Sequence, residues 1–150
     1  MRILLDTNIL TRSAQPDHVQ HQAATSAVAA LTSRGEILCL MPQNLYEFWV
    51  VSTRPTGENG LGLTTMDAKI RLNDLEQAFS ILEETAEFRS EWKTLVVQHD
   101  VKGKSAHDAR LVAGMNVHGV TTLLTFNKIH FMRYAGITVL VPEEITPFTV

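Results

Sequence analysis

Three carboxylates sit where their neighbours make a charge costly. Asp6 ends the aliphatic run Ile3–Leu5 and is followed by Thr7 and Asn8. Glu47 interrupts the otherwise apolar stretch LYEFWVV, Leu45 to Val51. Asp108 falls near the start of SAHDARLVAG, Ser105 to Gly114. An unpaired charge at the end of a buried strand costs several kcal/mol, so each acid must cap, pair with or bind something. Singly, each has a local explanation. Asp6, Thr7 and Asn8 can form an Asx turn that caps a following helix. Glu47 can lie on a thin polar stripe with Gln43 and Asn44. Ser105 and Asp108, three apart, resemble a capping box, the favoured reading for that pair alone. Asn127 suits a turn after a strand, and His130 a surface position. Together, three acids and Asn127 fall at the boundaries of elements. Such oxygen donors suit Mg²⁺ or Mn²⁺, and clustered carboxylates repel one another unless a dication compensates. Thr7, Asn8, Thr125 and Asn127 would then orient the ligands through hydrogen bonds.

The elements that must position these residues alternate in type. Arg2–Asp6 reads as a buried strand, His18–Gly35 as an alanine-rich helix and Glu36–Met41 as a second strand. Pro42–Thr53 reads as a helix with proline at an allowed first position. Arg54–Leu63 is a Gly- and Pro-rich loop, the only long flexible stretch, and such loops are often functional. Thr64–Phe79 reads as a capped helix, SILEE as a short strand and Thr85–Asp100 as a helix with Phe88, Trp92, Leu95 and Val96 on one stripe. Ser105–Gly119 is a further helix, Val120–Phe126 a strand, NKIHFMRYAG a short helix or turn, and Ile137–Pro142 a last strand. This alternation predicts an α/β fold with a mainly parallel sheet covered on both faces. In such sheets, sites form beyond the carboxyl ends of the strands. Asp6 ends the first strand and Thr125–Asn127 the fourth, so neighbouring strands would bring them to one crevice.

Composition sets limits. A chain of 150 residues reads as one domain, 1–150, with an ordinary balance of 45% hydrophobic and 19% charged residues. No apolar run approaches the ~20 residues of a membrane helix, and the N-terminus lacks the pattern of a signal peptide; a cytoplasmic location is expected. The lone Cys39 excludes an internal disulfide and a cysteine-cluster zinc site, and its apolar setting makes it a core residue. A net charge of −3 argues against strong non-specific binding to nucleic acid through the phosphate backbone. It leaves room for an enzyme that meets nucleic acid at a small acidic centre.

In order and spacing, ILLDTNIL, NLYEFWVV, SAHDARLVAG and LLTFNKIHF resemble the PIN-domain nucleases, and within them the VapC-type toxin ribonucleases. The resemblance covers nearly the whole chain. It implies Asp6, Glu47 and Asp108 as the catalytic, metal-binding triad. Asn127 matches the position of a fourth acid, which many members keep as Asp, and His130 falls where several have another Asp; one dication is implied more firmly than two. Also implied are a five-strand three-layer α/β/α sandwich, an RNA substrate, dimers with a shared groove and often a small antitoxin partner.

The ligand set implies a mechanism in which Mg²⁺ or Mn²⁺, held by Asp6, Asp108 and Glu47, binds a phosphate oxygen and activates a water for in-line attack. Candidate cations for steering phosphates are Arg12, Arg54, Lys102, Lys104, Arg110, Lys128 and Arg133. Candidate stacking residues for unpaired bases are Phe48, Trp49, Phe126 and Phe131, the first two better suited to core or dimer contact. One alternative is a non-catalytic PIN-fold module that binds RNA or protein. A remote one is a haloacid-dehalogenase-type phosphatase, which needs a second Asp where Asn8 stands.

Overall fold

The computed structural model describes residues 1–145. Strand β1 (Arg2–Leu5) lies at the centre of a five-stranded sheet, with its three aliphatic residues fully buried. The others are β2 (Ile37–Leu40), β3 (Ser80–Ile81), β4 (Thr122–Leu124) and β5 (Thr138–Leu140). Their order is β3-β2-β1-β4-β5 and every pairing is parallel. Register and side-chain alternation divide the core into two layers. Leu4 aligns with Cys39 and Leu123, and all three belong to one apolar cluster. Ile3 and Leu5, pointing the other way, join Leu38, Leu40 and Leu124 in the second.

Helices cover both faces of the sheet. On the Leu4 side lie α5 (Phe88–Gln98) and α6 (Ser105–His118), which bring in Phe88, Leu95, Leu111 and Met115. The expected stripe on α5 is present, and Trp92 Nε1 also donates to the Ala106 carbonyl at 2.9 Å. On the other side lie α1 (Thr7–Ser13), α2 (His21–Ser33) and α3 (Pro42–Thr53), through Ile9, Leu31 and Phe48. Helix α4 (Thr65–Ala78) packs against α3. The result is a three-layer α/β/α sandwich. α6 approaches the end of β2 so closely that a Cβ at Gly114 would collide with the Met41 side chain.

Several elements depart from expectation. Helix α1 occupies residues that carried no separate element. α2 starts at His21 and α5 at Phe88, each three residues later than expected. The Arg54–Leu63 stretch is not a loose loop. It contains a 3₁₀ turn at Thr56–Glu58, and Leu61, Gly62 and Leu63 donate back to the carbonyls of Val51, Arg54 and Ser52. Gly60 is required there, because a Cβ would collide with the Arg54 carbonyl. Among the described residues, no helix is long and apolar enough to cross a membrane.

Candidate active site

The sheet continues outward in opposite directions from the β1–β4 pair, so a crevice opens beyond the carboxyl ends of these two strands. Asp6 immediately follows β1. Its N–H donates to the Leu124 carbonyl at 2.9 Å, which fixes it against the end of β4. Its side chain accepts from Thr7 N–H at 2.7 Å, making it the N-cap of α1. The capping reading of Asp6 therefore holds.

Two further donors reach Asp6: the Thr125 hydroxyl at 2.7 Å and the Asn8 amide at 3.3 Å. Thr125 is fully buried, and its Oγ also accepts from Asn127 N–H at 2.9 Å. Asp6 itself is only 8% exposed. Burial pushes its carboxyl up to about 6, against the Thr125 and Thr7 hydrogen bonds, with the nearby charges of Asp108 and Glu47 raising it further. Burial outweighs the three donors in setting the Asp6 carboxyl.

Asp6, Glu47 and Asp108 line one cleft of about 580 Å³, with Thr7, Asn8, Asn127 and His130. Glu47 is exposed on α3, and its Oε1 accepts from Gln43 Nε2 at 2.9 Å. Of the polar stripe expected there, Glu47 lines the cleft, while Gln43 and Asn44 are buried behind it. Gln43 Nε2 also donates to the His107 carbonyl at 3.0 Å, joining α3 to the start of α6. Asp108 is half-buried in the first turn of α6. The capping box favoured for Ser105 and Asp108 is not formed: Lys104 is the N-cap and makes no side-chain capping bond. Instead Asp108 Oδ2 lies 3.5 Å from His130 Nδ1. Burial raises the Asp108 carboxyl, and His130, His107 and Arg133 pull it back.

Of the seven candidate cations, Lys104 and Arg133 reach this cleft. Lys102 pairs with Asp100 and Arg110 with Glu84. Phe131 is buried in the core and unavailable for stacking, as is Phe48. Two site residues were not singled out as such from sequence: Gln43, described above, and Asn44. Asn44 is fully buried, donates to Thr7 Oγ1 at 3.0 Å and accepts from Met41 N–H at 2.7 Å. Neutral amides on an apolar helix carry little signal in one sequence; only their placement next to Glu47 hinted at a role.

A model of the PIN domain family matches residues 3–137. The chain belongs to the PIN domain family. Several solved structures share the architecture. VapBC-1 from nontypeable Haemophilus influenzae superposes with a TM-score of 0.70 at 14% identity, over 96% of this chain and 100% of that one. VapBC2 from Rickettsia felis, bound to a DNA fragment from its promoter, gives 0.67 at 17%, over 94% and 98%. VapC20 from Mycobacterium tuberculosis, a toxin that cleaves the sarcin–ricin loop, gives 0.61 at 18%, over 81% and 86%. At such identities the likeness is one of fold. No curated protein matches the chain in sequence.

The PIN-domain cleft fits a hard dication by the chemistry of its donors: three carboxylates, one of them buried and resisting ionisation, and the Asn127 amide. As placed, no three His, Cys, Asp or Glu side chains among the described residues stand close enough to hold a metal ion.

Proposed function

We propose that this PIN-domain chain, acting as one nuclease domain over residues 1–150, is a Mg²⁺- or Mn²⁺-dependent endoribonuclease. We further propose that it is the toxin of a toxin–antitoxin pair, working in the cytoplasm as a homodimer. The observation that carries the reading is the buried Asp6, held by Thr7, Asn8 and Thr125 but facing two more carboxylates across one cleft. The toxin assignment, the antitoxin partner and the RNA substrate draw on the VapBC and VapC20 structures that share the fold.

Asp6, Asp108 and Glu47 would hold the ion. When bound, it supplies positive charge against a phosphodiester oxygen and acidity to an attacking water. The chain's own groups do the rest. Thr125 and Thr7 fix the Asp6 carboxylate. Gln43 holds Glu47 at the cleft edge, where it orients the water and takes its proton. Lys104 and Arg133 attract the phosphate chain. Asn8 donates to Asp6, so position 8 offers no second carboxylate of the phosphatase kind.

A labelled single-stranded RNA incubated with the purified chain tests this reading. Cleavage is expected with Mn²⁺, none with EDTA and none with Asp108→Asn. Cleavage that persists in EDTA would overturn it. A second reading, a PIN-fold binding module, draws on the neutral Asn127 and the separation of the three acids. RNA that is bound but never cut, by a protein that takes up Mn²⁺, would favour that module.

A further inference from the structure

A second cleft, of about 420 Å³, is basic where the first is acidic. Arg12, His18 and Arg54 line it, with Gln15, Val51 and Asn59. No carboxylate lines it, and among the described residues neither arginine forms an ion pair. Arg12 is aimed by neutral amides: Nε donates to Gln20 Oε1 at 3.1 Å and Nη1 to Gln15 Oε1 at 2.8 Å. Arg54 donates through Nη2 to the Asn59 carbonyl at 3.2 Å, and among the described residues its buried Nε has no hydrogen-bond partner. His18 Nδ1 accepts from Gln20 N–H at 3.0 Å, so the neutral ring carries its proton on Nε2 and offers another donor. Arginines held by uncharged partners keep their charge for a ligand, and their forked donors match phosphate oxygens.

The two clefts share a pair of packed helices, α1 and α3. Asn8 and Arg12 stand one turn apart on α1; Glu47 and Val51 stand one turn apart on α3, and Arg54 follows as its C-cap. Asn8 and Glu47 line the acidic cleft, while Arg12, Val51 and Arg54 line the basic one. The same faces of both helices therefore lead from one cleft to the other. The tied-back turn after α3, with its obligatory Gly60, sets the Asn59 carbonyl against Arg54.

We propose that the Arg12–His18–Arg54 cleft is a phosphodiester-binding subsite, which holds the backbone of a single RNA strand whose reacting bond lies at Asp6, Glu47 and Asp108. It rests on the ribonuclease reading for its substrate. The subsite lies a few nucleotides along the strand and reads charge, not sequence.

Fluorescence anisotropy of a labelled single-stranded RNA, measured over a salt series in EDTA so that no strand is cut, tests the subsite. Arg12→Gln and Arg54→Gln should each weaken binding about three- to tenfold and reduce the slope of log K against log salt by ~0.7, the value for one contact with a single strand. Arg12→Lys should keep the slope. Lys69→Gln and Lys93→Gln, which remove exposed charges elsewhere, should match the wild type. Affinity and slope unchanged in the glutamine variants would overturn the proposal. So would inorganic phosphate that binds through these arginines while RNA binding ignores them, which would mark a site for free anions. Should Arg54→Gln not fold, Arg12→Gln decides alone. Cleavage with Mn²⁺ is scored separately. Arginine-dependent binding without cleavage overturns the ribonuclease reading and keeps the subsite; cleavage with arginine-independent binding does the reverse.

Discussion

Asp6 accepts hydrogen bonds from Thr7, Asn8 and Thr125, yet its carboxyl is pushed up to about 6 from an ordinary 3.8. An acid raised on folding favours the folded state most when both states are protonated, below its unfolded value. That advantage is lost as pH rises from 3.8 toward 6, and above 6 the folded protein carries a cost of about 3 kcal/mol. Asp6→Asn, without divalent metal, should therefore be more stable than wild type at pH 7.5 by about 1–3 kcal/mol after weakened hydrogen bonds are counted. The difference should close below pH 4, as thermal melts across pH will show. Mn²⁺ must compete with the same proton, so its affinity should fall as pH drops below 6. Asn127 lines the cleft without adding charge. Asn127→Asp should tighten Mn²⁺ about tenfold, or ~1.4 kcal/mol, whereas Glu47→Gln should slow RNA cleavage more than it weakens Mn²⁺ binding. The three acids were legible in the sequence because each stood out against apolar neighbours. His130 was legible only as a position, since its closeness to Asp108 depends on how the turn after β4 meets α6.

At the scale of elements, the junction of α1, β2 and α3 holds the cleft open in the right shape. Asn44 closes it by satisfying Met41 N–H and Thr7 Oγ1 from a site with no access to water. Asn44→Ala should cost about 2–3 kcal/mol, since it leaves a buried N–H and a hydroxyl without a partner; the midpoint of urea unfolding measures this. Because Thr7 follows Asp6, Mn²⁺ affinity should weaken with it. Sequence gave α3 to the residue, since Pro42 marks its first turn. It did not give α1, which is seven residues long and too short to show a helical period, and whose Ile9 and Leu10 read on from the β1 run. The strands ran shorter than their apolar sequences: Val120 and Phe126 flank β4 but stay outside its ladder. Which of seven cations face the acids also needed the tertiary structure, because charges on separate helices carry no mutual spacing.

Across the whole molecule, carboxylates line one cleft and arginines another, a separation that a net charge of −3 does not reveal. Tyr46 and Val50 on α3 and Met66 and Ile70 on α4 are large apolar side chains left exposed. Such an exposed apolar group suits contact with a second copy of the chain. Light scattering should give twice the monomer mass, and the double variant Tyr46→Glu, Ile70→Glu should return it to one. A monomer for the wild type at high concentration would remove the dimer from the account. Mn²⁺ titration calorimetry at pH 7.5 on the wild type, Asp6→Asn and Asp108→Asn tests whether the acidic cleft holds a metal ion. One Mn²⁺ per chain is predicted for the wild type, with heat of binding lost in both variants. Equal Mn²⁺ affinity in all three proteins would contradict it.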